Sequence, residues 1–88
     1  MKIEKSVGKR GTTVSLIGRV QANDLVEVAR QLETSSPRAA LQLDEVTLVD
    51  VDVVRFLNKC EREGVLLINC SPYIREWMSR ERKNHAKG

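Results

Sequence analysis

The sequence predicts a small α/β domain: a mixed four-stranded sheet with β–α–β crossovers, element order ββαβαβα, and helices packed on the sheet. Three observations carry this. Alternating or β-branched apolar segments recur at residues 12–17, 41–49 and 65–68. Segments with an apolar stripe at helical spacing follow each of them. Gly and Pro stand at the junctions. Two successive β–α–β passages imply parallel strands joined by right-handed crossovers, with the first hairpin adding an antiparallel edge.

Each element has a local reason. Residues 2–7 alternate weakly, and the glycines of Gly8-Lys9-Arg10-Gly11 suit a turn. Val14 and Leu16 then oppose Thr13 and Ser15, as in a half-buried strand, and Gly18-Arg19 leads out of it. Asn23 or Asp24 can cap the first helix, in which Leu25, Val28, Ala29 and Leu32 form one apolar stripe. Thr34-Ser35-Ser36-Pro37 should stop it, because Pro lacks an amide hydrogen and disfavours helical geometry at Ser36. Ala39, Leu41 and Leu43 alternate as a strand, Asp44-Glu45 resembles a turn, and Val46-Thr47-Leu48-Val49 delivers the chain to Asp50. The second helix points Val53, Phe56, Leu57 and Cys60 inward and Arg55, Asn58, Lys59 and Arg62 outward, and Gly64 ends it. Residues 65–68 form an unbroken apolar run, which predicts a strand buried on both faces. Ser71-Pro72 opens the last helix, with Ile74, Trp77 and Met78 as its inner stripe.

Composition narrows the class. At 88 residues, 41% of them hydrophobic, the chain holds one core, with a single domain over residues 1–83 and a polar basic tail at 84–88. No apolar run of about 18 residues is present, which excludes a transmembrane helix. The start has no apolar stretch of a signal peptide, so a cytoplasmic protein without membrane insertion is expected. Cys60 and Cys70 lack CxxC spacing or a nearby His, and read as buried free thiols with no metal. Residues 1–71 hold ten basic and ten acidic side chains, so residues 72–88 carry the whole net charge of +3. Nucleic-acid binding through that basic end is the weaker alternative to a solvated terminus.

A leucine-rich strand, Asp44-x-Val46-Thr47-x-Val49-Asp50, a helix, Gly64, an apolar strand and Ser71-Pro72-x-Ile74-Arg75 follow one another in this chain. That succession, with Gly18-Arg19-Val20 before it, resembles the STAS domain, the family of sulphate transporters and anti-sigma-factor antagonists. The resemblance covers about residues 12–78. It implies a bacterial regulatory setting and a protein partner: an anti-sigma factor or a sensor-kinase assembly, or else the ATPase of an ABC-type lipid transporter of which this chain would be the small subunit. In the antagonists a D-S-S-G turn opens the second helix and a kinase phosphorylates its second serine. Here the turn reads Asp50-Val51-Asp52-Val53. The position equivalent to the phosphoacceptor is Asp52, so a serine switch is missing at this turn.

Both aspartates also suit a helix start, where carboxylates satisfy free amides and the positive end of the dipole. Asp52 is alternatively a permanent, partial imitation of phosphoserine. In a third reading Asp50, Asp52, Arg55, Asn58 and Lys59 form a partner-docking face. Catalysis is not expected: His85 lies in the polar tail, and no nucleophilic triad, HExxH or P-loop occurs. No cofactor is implied. Tyr73 and Trp77, four residues apart, read as packing of the last helix in preference to a stacking platform for bases. The oligomeric state is left open, a homodimer included.

Overall fold

In the computed structural model, residues 1–9, 11–34 and 39–86 are described, with side chains up to Lys83. Two strands, β1 (Lys2–Gly8) and β2 (Gly11–Val20), precede α1 (Leu25–Glu33). Strand β3 (Ala40–Val49), α2 (Val51–Arg62), β4 (Leu66–Ile68) and α3 (Pro72–Ala86) follow. The sheet order is β1-β2-β3-β4, antiparallel between β1 and β2 and parallel across the other two junctions. The predicted fold class and element order are therefore present.

The core gathers on one face of the sheet. Val14 and Leu16 of β2, Leu41 and Leu43 of β3 and Leu67 of β4 meet Val28 of α1, Val53, Val54 and Leu57 of α2, and Ile74 and Met78 of α3 in one cluster. Alternate positions of each strand thus point at the helices. The expectation that β4 is buried on both faces fails, since Leu66 is 64% exposed. Strand order explains it. The crossovers from β2 to β3 and from β3 to β4 progress in the same direction, and crossovers of one hand then lay their helices on the same face. Covering both faces would need the order to reverse within the sheet.

Two local readings also change. β2 does not end before Gly18, and Asp44-Glu45 is no turn. Both segments stay in the sheet as irregularities, with register shifts between Ser15 and Ile17 and between Gly18 and Arg19. Each shift places an extra β3 residue against β2, in the manner of a bulge. Gly18 holds φ +90° beside these shifts, a conformation that favours glycine. Helix α1 enters through a 3₁₀ turn, Ala22–Asp24, and Asp24 makes no side-chain cap to α1. Its Oδ2 instead accepts from Gln21 N at 2.9 Å. Thr34 closes α1, its amide donating to Arg30 O. The predicted stop at residues 35–37 lies outside the described residues, as does Arg10 in the hairpin turn and the side chain of His85.

The ends of α2 and the start of α3 follow their sequence signals. Gly64 takes φ +95°. Val65 N then donates to Cys60 O at 2.9 Å and Gly64 N to Glu61 O at 3.2 Å, the two bonds of a Schellman cap. Ser71 Oγ accepts from Ile74 N at 3.4 Å, with Pro72 in the first helical position.

Candidate functional site: the start and outer face of helix α2

The carboxyl ends of β2 and β3 deliver Gln21-Ala22 and Asp50 to the same edge of the domain. Asp50 is the N-cap of α2 in extended geometry, and its Oδ1 accepts from Val53 N at 3.0 Å. Its second oxygen accepts from Ala22 N at 2.9 Å, 28 residues back in the chain. One carboxylate therefore closes the first turn of α2 and holds the start of the α1 segment against it. Both oxygens are engaged within the fold, so Asp50 is a structural residue of the site. Sequence reading found the cap and missed the link to Ala22, which no local pattern encodes.

Asp52 lies in the first turn of α2 and is exposed. Lys59 is exposed two turns further on, and neither has a partner among the described residues. Arg55 is also exposed, but its Nε donates to Glu81 Oε1 of α3 at 2.9 Å. Asn58 departs from expectation. It is buried, its Nδ2 donates to Met78 O of α3 at 3.0 Å, and it is no part of an accessible docking face. The helix has two neighbours, the sheet and α3, and Asn58 faces the second. Its Oδ1 is buried without a protein partner.

Glu61 completes the contact with α3. It accepts from Arg75 at 2.7 Å and lies 3.6 Å from Arg82. Arg55, Asn58 and Glu61 on α2 thus run antiparallel to Glu81, Met78 and Arg75 on α3. Each helix carries an Arg six residues before a Glu, so an antiparallel crossing pairs both ends at once. That symmetry was the available sequence signal, and reading each helix alone hides it. Part of the basic character of α3 is accordingly spent inside the molecule. Trp77 is half-buried against the core, and Tyr73 is 51% exposed with its ring centroid 6.0 Å from that of Trp77.

Both cysteines are free; Cys60 is buried and Cys70 half-buried. Burial, reinforced by the Glu63 charge and opposed by Lys59, pushes the Cys60 thiol up from 9.0 to about 11. Burial also raises Cys70, against the pull of Arg75. The native state therefore holds the Cys60 proton more tightly than the unfolded chain. This contribution to stability is complete below pH 9.0 and is lost as pH rises through about 11. Alkylation at pH 8 should label Cys70 well before Cys60, and Cys60 should react at the rate of global opening. Equal rates for the two thiols would contradict the packing around Cys60.

A shallow concavity of about 550 Å³ opens at the hairpin end of the sheet, bordered by Gly8, Gly11, Thr13, Gly64 and Leu66 among others. None of the predicted site residues borders it. Among the described residues no helix is long and apolar enough to cross a membrane, and no three His, Cys, Asp or Glu side chains are grouped to hold a metal ion. Comparison with protein-family models, with curated proteins and with solved structures gives no match.

Proposed function

We propose that the chain is a non-catalytic, STAS-like protein-interaction module of regulatory type, which docks a protein partner through the outer face of α2 and lacks the serine phosphoswitch at the α2 turn. The observation that carries this is the division of labour between the two aspartates. Asp50 is consumed by the fold, whereas Asp52 and Lys59 are exposed, without a partner among the described residues, on a helix whose start is held at two points. A recognition surface works best on such a rigid element, because little ordering remains to be done on binding. Asn58 drops out of the docking set. Arg55 contributes only the part of its guanidinium that Glu81 leaves free. The partner classes suggested by the resemblance are an anti-sigma factor, a sensor-kinase assembly or a transporter ATPase.

The test is affinity capture from the source cells with the wild-type chain and with Asp52→Lys and Lys59→Glu variants. Either reversal should abolish a stoichiometric complex at a cost in unfolding stability of no more than about 1–2 kcal/mol, because Asp52 in the first turn and Lys59 in the last turn of α2 carry the charges that suit the helix dipole. Arg55 is a poorer probe, because reversing it also sets two carboxylates against each other at Glu81. A complex that survives both reversals with unaltered affinity would move the interface away from α2. Intact-mass analysis after incubation with lysate and ATP should find no phosphate on residues 50–53, which hold no hydroxyl. Phosphate on Thr47 or Ser71 would mean the switch has moved to another position.

A further inference from the structure

The free edges of the sheet differ in how they are guarded. β1 carries Lys2, Glu4 and Lys5, charges of the kind that keep an edge from pairing with other chains. β3 continues from Leu43 to Val49 beyond the residues that β4 pairs, and there it carries Asp44-Glu45 and the register shifts. β4 has neither device. Leu66-Leu67-Ile68 is uncharged, and Leu66 is 64% exposed. Leu66 N donates to Ala39 O of the β3 side. Successive residues of a parallel strand turn their backbone groups to opposite sides, so Leu67 turns its N–H and C=O away from β3, where the sheet has no further strand.

Helix α3 borders the same edge. α1 packs on β2, α2 on β4 and α3 on α2, so the helix layer follows the sheet order and α3 is its outermost member. Arg75 and Arg82 turn toward Glu61 of α2, and Ile74 and Met78 toward the core. Tyr73, Trp77 and Arg80, at i, i+4 and i+7, therefore form a stripe on the flank opposite α2. Tyr73 and Arg80 are exposed and Trp77 is half-buried. Arg80 has no ion-pair partner among the described residues. Tyr, Trp and Arg are the residue types enriched where interfaces hold most of their binding energy.

We propose that the β4 edge and this stripe of α3 together bind an extended segment of a partner protein, one with an acidic residue among β-branched apolar ones. The proposal goes beyond the α2 docking face and uses none of its side chains. An unpaired N–H and C=O on a strand edge are matched by another extended backbone. Beside the uncharged β4, apolar side chains of the added strand pair with Leu66 and Ile68. Arg80, the unpaired cation at the far end of the stripe, calls for a carboxylate. From Tyr73 to Arg80 the helix rises about 10.5 Å, the reach of about three extended residues. A helical partner could lie on the stripe but would leave the Leu67 backbone groups unmatched.

The full chain is titrated, following the fluorescence of its single Trp, with a short acetylated peptide in which Val and Thr alternate and one Thr is replaced by Glu. A version with Gln for that Glu and a version with N-methylated amides are run beside it. Saturable one-to-one binding is expected, with a change in Trp77 emission and slower amide exchange at Leu67. The Gln peptide should bind more weakly by about fivefold or more, and the N-methylated peptide, which cannot pair with an edge, should not bind. Arg80→Gln, an exposed change, should remove the preference for Glu over Gln with circular dichroism unaltered. Leu66→Lys gives β4 the guard that β1 already has and should weaken binding by about tenfold or more. Val7→Lys, at an exposed position of β1, should leave it unchanged. Absence of binding up to about 1 mM peptide, equal binding of the N-methylated peptide, or a Glu preference that survives Arg80→Gln would each overturn the proposal. So would sedimentation showing that the chain alone dimerises with Leu67 already protected, since a second copy would then occupy the edge. None of these outcomes involves Asp52 or Lys59, so the α2 docking face stands or falls separately.

Discussion

Replacing Met78 by alanine is expected to cost about 2–5 kcal/mol of unfolding free energy, the range for truncating a fully buried large side chain. Met78 has no solvent exposure and sits where α3 meets α2 and the sheet face. Its carbonyl holds the Asn58 amide, a bond that the substitution leaves in place. The loss therefore reports side-chain packing. Ile74, 2% exposed, is the other fully buried apolar residue of α3 among the described residues, so little else in the helix compensates for a cavity. Trp77→Ala should cost less than the roughly 3–5 kcal/mol of a buried ring, because Trp77 only partly joins the core. Urea unfolding followed by the fluorescence of this single Trp and by far-UV circular dichroism checks both values. The two probes should give one midpoint for a domain of this size. A loss below about 1 kcal/mol for Met78→Ala would mean that α3 is not docked as described.

How far the sequence reveals this molecule depends on whether a feature is written in one segment or in the meeting of two. Helix starts at Asp50 and Ser71-Pro72, the glycine end of α2 and the apolar stripes of α1 and α2 depend on neighbouring residues, and all are legible. The same holds for the order of elements, since period and punctuation alternate along the chain. The exposure of Leu66 is not legible, because an apolar tetrapeptide says nothing about which strand lies beside it or whether the sheet order reverses. Asp44-Glu45 reads as a turn because Asp favours turns and both acids are depleted in strands, yet a bulge absorbs the extra length while keeping both in the strand. Helical spacing directs Asn58 to water, because it lies off the apolar stripe of α2, yet it is buried. A helix packed on both a sheet and a second helix buries part of its polar flank too, and there a side-chain amide replaces solvent by bonding a carbonyl of the neighbour. The candidate site divides in the same way. Asp52 and Lys59 are visible as exposed charges from helical spacing, whereas the roles of Asp50 toward Ala22 and of Arg55 toward Glu81 exist only after folding.

Asp50→Ala should destabilise the domain by about 1–3 kcal/mol, well beyond the effect of Asp52→Ala. Loss of an N-cap costs about 0.5–2 kcal/mol, and here the same carboxylate also satisfies Ala22 N. Ala22 is exposed, so water can take over part of that second bond, and the added cost falls at the lower end for a lost hydrogen bond, about 0.5–1.5 kcal/mol. Asp52, exposed in the first turn, contributes only its favourable placement at the helix dipole, about 0.3–1 kcal/mol and screened by salt. Serine separates the two functions of Asp50. Its hydroxyl can cap Val53 N, but one oxygen cannot also hold Ala22, so Asp50→Ser should recover the cap and leave the α1 entry loosened. Chemical denaturation gives the ranking Asp50→Ala, then Asp50→Ser, then wild type, and amide exchange at Ala22 should be faster in both variants while Val53 is protected again in the serine variant. If Asp52→Ala proved the more damaging substitution, the α2 turn would be held by Asp52, and the assignment of Asp50 to structure and Asp52 to recognition would have to be reversed.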